Sequence, residues 1–390
     1  MPENILVIVV DGLRASALGA YGNTSFPTPT LDRLAAQSLL MDWCYAPSPE
    51  LGDIYEALWR PVPAGSNAQG LAMPKLLANA GYHTTVVTDD PLLRTFSAAD
   101  EFDEIVQVGA PSAANEETRR SSDVLATNLA QTFSAAIEII SNTRREQPRM
   151  FWLHTRGMYG AWDAPLELQN GLRDDEDPEP IDSAVPPDLV VSGHDPDTVF
   201  RYACAYGAQV MAFDQCLDSL LDAVGWGDGW VISLMGARGF PLGEHGRIGG
   251  IDERTYAEQM HAPWLLSLPN GLGRMARASA LTSHRDLLPT LAEQFDRDSK
   301  LDRSAFSGSS VLPWATSSRP DWRESVVSAS PHSRSIRTAS WCLREDLLAS
   351  DSETHGDSDT AELYVRPDDR WEANDVAKLC PDVIESFEAT

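Results

Sequence analysis

Apolar positions along the chain fall into two kinds of run. The first is short, continuous and rich in β-branched residues, as in Ile5-Leu6-Val7-Ile8-Val9-Val10. Such runs predict strands buried on both faces of a parallel sheet. Residues 83–88, 150–154, 230–234 and 264–268 repeat the pattern. The second kind recurs every three or four residues and predicts helices with one apolar face. Leu125, Leu129, Phe133, Ile137 and Ile140 define one over 123–140. Tyr202, Tyr206, Val210, Phe213, Leu217 and Leu221 define a longer one over 198–224. Further helices are predicted from Thr28-Pro29-Thr30 onward, over 50–59, over 73–79 with Gly81 as the stop, and over 285–295. The stretch 43–49 reads as Pro-broken. Strands alternating with helices at these intervals indicate an α/β domain with helices on both faces of a mostly parallel sheet.

From about Asp321 the pattern changes. Short strands are expected at Val326-Val327, 335–337, 341–344 and 362–365, with no long helix between them, then a terminal helix near 383–387. This divides the chain into a large α/β domain, 1–320, and a small antiparallel sheet plus helix, 321–390. The acidic, Pro-rich region 172–197 reads as a surface excursion or lid. Its Asp174-Asp175-Glu176-Asp177 reads as a solvated loop.

Charge narrows the partners. The 390 residues carry a formal net charge of −28, with no basic stripe, which argues against a nucleic-acid partner. The same acidity repels sulfated or phosphorylated polyanions unless a local basic pocket exists. Five scattered cysteines (Cys44, Cys204, Cys216, Cys342, Cys380) lack metal-type spacing and suggest a reducing compartment. No leader-like segment precedes the first strand, and no apolar run approaches a membrane span, so a cytoplasmic, membrane-free protein is expected.

The first strand ends in Asp11-Gly12-Leu13-Arg14. An acid at the carboxyl end of such a strand sits where open α/β sheets place ligands. Other landmarks follow in order: Gly19-Ala20-Tyr21-Gly22-Asn23, Thr28-Pro29-Thr30-Leu31-Asp32, Leu76 to Thr84, His154 to Pro165, Gly243-Glu244-His245-Gly246, Tyr256-Ala257-Glu258-Gln259, His261 to Leu266, and His284 to Leu291. Ile336-Arg337-Thr338, Trp341, Glu362-Leu363-Tyr364 and Trp371-Glu372-Ala373-Asn374 complete the set. With these motifs the chain resembles the sulfatase branch of the alkaline phosphatase superfamily over nearly its whole length. The resemblance implies a doubly wound, mostly parallel sheet with a small C-terminal antiparallel subdomain. It also implies hydrolysis of sulfate or phosphate esters at a divalent metal held by Asp, Asn and His, with a formylglycine made from Cys or Ser as the sulfatase nucleophile.

Against that pattern the chain departs in three landmarks. Asp11 fits the first metal ligand, but its neighbour, often a second Asp, is Gly12. The nucleophile position falls on Leu51, with Asp53-Ile54-Tyr55 in place of Pro-Ser-Arg. Cys44-Tyr45-Ala46-Pro47-Ser48 lies seven residues early, and Cys44 reads as packed and inert. The Ser-Asp-His-Gly landmark appears as Gly236-Ala237-Arg238-Gly239, so two ligands become Ala237 and Arg238. His154 is kept, while Tyr159 takes the place of a second His, and the Lys-x-His position is Asp89-Asp90-Pro91.

Two readings follow. The favoured one is a pseudoenzyme: Leu51, Tyr55, His154 and Tyr159 mark a vestigial catalytic site, and Asp11 is a vestigial metal ligand. No cofactor is then expected, and the protein acts on a small anionic ligand or a protein partner. Arg238 and His245 are the anion-binding candidates, although Arg238 equally serves to neutralise Asp11, because an unpaired acid in a closed crevice is costly. His154 and His245 also read as scaffold histidines, and Asp89-Asp90 as a cap for the next turn. The alternative is a hydrolase with a rewired site built from Asp11, Asp53, Asp89, Asp90, His154 or His245, using Ca²⁺ or another divalent metal.

Overall fold

The computed structural model describes residues 3–60, 71–109, 120–142, 147–191, 195–225, 229–296, 301, 306–316, 320–347 and 361–388. Its strands, in chain order, are β1 (Asn4–Val10), β2 (Leu39–Tyr45), β3 (His83–Thr88), β4 (Glu104–Gln107), β5 (Arg149–Thr155), β6 (Asp188–Val190), β7 (Trp230–Gly236), β8 (Arg247–Gly249), β9 (His261–Ala262), β10 (Trp264–Ser267) and β11 (Ala276–Ser283). A second group comprises β12 (Ser325–Ala329), β13 (Ser333–Thr338), β14 (Trp341–Asp346) and β15 (Ala361–Val365).

Among the described residues, nine strands form the main sheet in the order β11-β2-β10-β7-β1-β5-β3-β4, with β9 alongside β2. The pairs β1·β5, β1·β7, β3·β5, β3·β4 and β11·β2 are parallel. The strand β10 runs antiparallel to both its neighbours, which makes the sheet mixed. β1 is central, and its residues alternate between two cores. Ile5, Val7 and Val9 face one, and Leu6, Ile8 and Val10 face the other. Every one of the six is fully buried, and each such side chain contributes about 1.5–3 kcal/mol.

The helices are α1 (Pro29–Ala36), α2 (Leu51–Trp59), α3 (Met73–Asn79), α4 (Asn128–Asn142), α5 (Leu166–Asn170), α6 (Pro196–Val224), α7 (Ala257–Met260), α8 (Leu287–Phe295), α9 (Leu312–Ala315) and α10 (Pro381–Glu388). The face of Val7 is covered by α2, α3 and α8, and the face of Ile8 by α1, α4 and α6. The doubly wound arrangement is therefore as expected. The helix expected from Asp123 begins at Asn128, because Asp123 caps a separate 3-10 turn through the Leu125 N–H. Leu125 consequently lies 75% exposed and outside the apolar stripe.

The strands β2, β4 and β11 escape the apolar pattern. β2 follows α1 after only Gln37 and Ser38, and β11 carries polar residues on one half. Inside the expected surface excursion, β6 pairs with β8, so that segment is partly ordered against the body. Residues 192–194 of that excursion lie outside the described residues. The second sheet, β12-β13-β14-β15, is antiparallel throughout.

Two buried arginines fasten this second sheet to the first. Arg337 on β13 donates to Glu372 Oε1 at 2.9 Å and Oε2 at 3.0 Å, and its guanidinium lies 4.8 Å from the Tyr45 ring centre. Arg366 donates to the Tyr45 hydroxyl at 2.8 Å and lies 4.6 Å from the Trp43 ring centre. All five cysteines are free thiols, and Cys44 is fully buried. Among the described residues no helix is long and apolar enough to cross a membrane.

Candidate functional site

The β1 strand delivers Asp11 to the crevice at the carboxyl end of the sheet, and two glycines fix how it sits there. Gly12 has φ +77°, and a Cβ on it would lie 2.8 Å from the Met158 Cβ. Gly157 has φ +50°, and a Cβ there would lie 2.5 Å from the Asp11 carbonyl oxygen. Only glycine meets both demands without strain. The loops after β1 and β5 thus interlock, and position 12 has no room for the second acid that the resemblance suggested.

Asp11 is 2% exposed and is gripped by Arg238. Arg238 Nε donates to Oδ1 and Nη2 to Oδ2, both at 2.9 Å. The remaining Nη1 donates to the Pro49 carbonyl. The Tyr159 ring lies flat below, its centre 4.5 Å from the guanidinium carbon. Burial pulls the Arg238 guanidinium down, but Asp11 and Tyr159 more than reverse this and hold it above its ordinary value. The Tyr159 hydroxyl donates to the carbonyls of Gly250 at 3.0 Å and Gly239 at 3.3 Å and accepts from Gln259. Tyr159 is locked as a wall, and burial pushes its phenol up.

Leu51 opens α2, two residues beyond the bonded Pro49 carbonyl, and is buried. Ala237 follows β7 at the same end of the sheet, its N–H donating to the Val10 carbonyl at 2.9 Å. Both belong to the apolar core on the α2 side and contribute no donor atom for a cation. Among the described residues, no three His, Cys, Asp or Glu side chains converge as a metal site would require. The donor set around Asp11 does not fit a divalent cation, because the group facing its carboxylate is a guanidinium.

A second group draws on α2 (Tyr55), β5 (Trp152 and His154) and the turn after β3 (Asp90). The Tyr55 hydroxyl accepts from Trp152 Nε1 at 3.2 Å and is hydrogen-bonded to His154 Nδ1 at 2.7 Å, with the donor set by the His154 tautomer. His154 Nε2 is buried, has no hydrogen-bond partner among the described residues, and lies 3.8 Å from Asp90 Oδ2. That separation is too long for a hydrogen bond. Asp90 caps the turn after β3 through the Leu92 N–H at 2.9 Å. Burial raises the Asp90 carboxyl, but His154 and the Leu92 N–H outweigh it and hold it below the usual range. Asp89 accepts from the Arg156 N–H at 2.7 Å and Thr155 Oγ1 at 2.8 Å, and burial lifts its carboxyl. Asp53 accepts from Ser48 Oγ at 2.8 Å.

The structure therefore brings Asp11, Arg238 and Tyr159 together and places Tyr55, His154 and Asp90 in an adjoining group. It sets His245 apart from both. His245 Nε2 donates to the Glu372 carbonyl at 2.9 Å, and Nδ1 lies 2.8 Å from Glu258 Oε1. Its ring stacks on Tyr256 with centres 3.6 Å apart. As anion-binding candidates, Arg238 and His245 are both already engaged by protein groups, Arg238 in the neutralising role and His245 at the join between the two sheets. The Pro49 carbonyl carries no signal in the sequence, and Gln259, like Glu258, is marked only by its place in the Tyr256-Ala257-Glu258-Gln259 landmark.

Comparison with known proteins places the geometry. The family model described as Sulfatase matches residues 3–296. The chain belongs to the sulfatase family. Within the alkaline phosphatase superfamily, this sulfatase-family chain is similar in structure to a phosphonate monoester hydrolase of Agrobacterium radiobacter. That match has a TM-score of 0.77 and 14% identity, covering 99% of this chain and 94% of that one. It is also similar to a protein solved in complex with its substrate D-glucosamine-2-N,6-O-disulfate, with a TM-score of 0.75 and 17% identity over 100% and 97% of the two chains. A 2-O GAG sulfatase matches with a TM-score of 0.73 and 17% identity over 100% and 91%. At such identities the likeness shows the fold alone. No curated protein matches the sequence.

Proposed function

We propose that this sulfatase-family protein has lost ester hydrolysis and acts by binding a small anionic ligand or a protein partner, without a resident metal. The observation that carries the reading is the bidentate Asp11–Arg238 pair. A guanidinium remains charged at any accessible pH, and it neutralises the strand-end acid without offering the open coordination position that activates a nucleophile. Leu51 at the start of α2 supports the same reading, since an aliphatic side chain forms no covalent intermediate. So does Tyr159, whose hydroxyl is spent on two backbone carbonyls. A cytoplasmic site of action belongs to this proposal.

The test is elemental analysis of the purified protein, with melting curves in Ca²⁺, Mg²⁺, Mn²⁺ or Zn²⁺ and in chelator. The expectation is no stoichiometric metal and no shift. A tightly held divalent ion that vanishes in Asp11→Ala would overturn the proposal. A second reading, hydrolysis by a rewired site, draws on the buried Nε2 of His154, which has no hydrogen-bond partner among the described residues and lies beside Asp90. It requires turnover of aryl sulfate or phosphate esters with added metal, lost in His154→Gln and Asp90→Asn.

A further inference from the structure

The basic pocket that an acidic chain needs in order to hold an anion is not at Arg238 or His245. A cavity of about 180 Å³ is lined by three arginines (Arg14, Arg277, Arg370) and by Trp371, and also by the carboxylates of Asp42 and Glu258, among others. A neighbouring cavity of about 330 Å³ shares Arg14, Ser16 and Trp371 and is otherwise largely apolar, with Phe26, Phe200 and Leu242. Neither is lined by Asp11, Leu51, His154, Ala237 or Arg238. Asp11 lies against Arg238, which reaches the Pro49 carbonyl just before α2, whereas the Arg14 N–H bonds the Tyr206 hydroxyl on α6. The cavities are therefore separate from the crevice described above.

Two of the three arginines are spent on protein groups. Arg14 is satisfied by Ser16 Oγ, the Phe240 carbonyl and Glu244. Arg277 is satisfied by Asp42 and the Ala20 carbonyl. Arg370 differs. Among the described residues it has neither carboxylate partner nor hydrogen bond, and its guanidinium lies on the Trp371 ring, 4.6 Å from the centre. Arg14 lies 5.6 Å from the same ring, which is 39% exposed. Ser16 Oγ accepts from Arg14 Nε at 2.6 Å, and its own hydrogen has no acceptor among the described residues. Arg370 and Ser16 are thus two donors with no hydrogen-bond acceptor among the described residues, beside the partly exposed Trp371 indole.

We propose that this pocket binds a small ring-bearing organic anion, its acid group on Arg370 and Ser16, its ring against Trp371, and any apolar extension in the neighbouring cavity. Charged donors bind an acid group strongly, and the flat indole selects a ring over an inorganic ion. The inference deepens the binding reading above and rests on it for its biological sense. Calorimetry on the full chain with phenyl sulfate and phenyl phosphate tests it, with phenol and inorganic sulfate as controls and phenol release followed in the same samples. At least one ester anion is expected to bind more tightly than both controls, with binding weakened by salt, reduced about tenfold or more in Arg370→Gln, and reduced further in Arg370→Gln with Ser16→Ala. Arg370 makes no hydrogen bond among the described residues, so Arg370→Gln should melt as the wild type does. Binding unchanged in Arg370→Gln, or no binding of either ester, overturns the pocket while leaving the non-hydrolytic reading intact. Binding that depends on Arg370 and is accompanied by phenol release keeps the pocket and overturns that reading instead.

Discussion

Replacing Arg238 by Met asks what the Asp11–Arg238 pair does for the protein. The substitution keeps the volume of the chain stem but removes two 2.9 Å bonds to Asp11, the bond to the Pro49 carbonyl and the contact with the Tyr159 face. What remains is a carboxylate 2% exposed with no cation beside it. Breaking a buried pair from one side costs about 3–5 kcal/mol, mostly because the surviving charge is stranded. For 390 residues, unfolding entropy of about 2 cal/mol/K per residue makes 1 kcal/mol worth roughly 1 °C, so Arg238→Met should lower Tm by about 3–6 °C. Asp11→Leu should cost somewhat less, since Arg238 keeps Pro49 and Tyr159. The double variant should lie within about 2 kcal/mol of wild type, because a well-packed apolar pair replaces a buried ion pair at little net cost. Urea titration of all four proteins closes the cycle, and a coupling of several kcal/mol is expected. Additive single effects, or a stable Arg238→Met protein that gains several degrees on adding Ca²⁺ or Mn²⁺, would show that Asp11 belongs to a metal site and refute the neutralisation argument.

Three other outcomes follow from the same structure. Arg337→Met strands the buried Glu372 carboxylate and removes the Tyr45 contact; it should cost about 3–5 kcal/mol and speed proteolysis in the β12–β15 sheet. His261 is held neutral by burial, its pKa pulled from 6.5 down to about 3. Its contribution to stability is complete above pH 6.5 and is lost as the pH falls toward 3, at about 1.4 kcal/mol per pH unit. His261→Phe should flatten the melting temperature across that acid window. His245 has the opposite sign: burial lowers it, but Glu258 reverses this and holds its pKa above 6.5. Its contribution is complete below pH 6.5 and lost as the pH rises through the raised value, so His245→Gln should remove part of the alkaline decline in melting temperature.

The sequence made the scaffold legible wherever one physical constraint acted alone. The six-residue run of β1 admits nothing but a strand buried on both faces, and the stripe from Tyr202 to Leu221 admits nothing but a helix on an apolar sheet. β2 was hidden because Leu39 to Tyr45 follows α1 without a turn residue, so its apolar run blends into the helix. The proposed loss of hydrolysis rests on Leu51, Gly12 and Ala237, whose side chains supply no donor atom, and that much is read from the sequence. What surrounds Asp11 depends on contacts far apart in sequence, such as the bond from Arg238 to Pro49 across 189 positions. Gly12 joins the two levels. The sequence shows only that an acid is absent, whereas the 2.8 Å approach to Met158 shows that no side chain fits.

That distinction bears on how the scaffold is used. A crevice whose central acid is bound face to face by a guanidinium has no net charge to offer a ligand, so any anion must be drawn elsewhere. The overall charge of −28 makes an uncommitted cation more conspicuous. Among the described residues Arg370 is such a cation, and it stands on the segment between β15 and α10 that also supplies Glu372, the partner of Arg337. A ligand held by Arg370 would therefore report on the docking of the C-terminal sheet as well as on the pocket. Ligand added to Arg337→Met should then bind more weakly than to wild type, although Arg337 does not line either cavity.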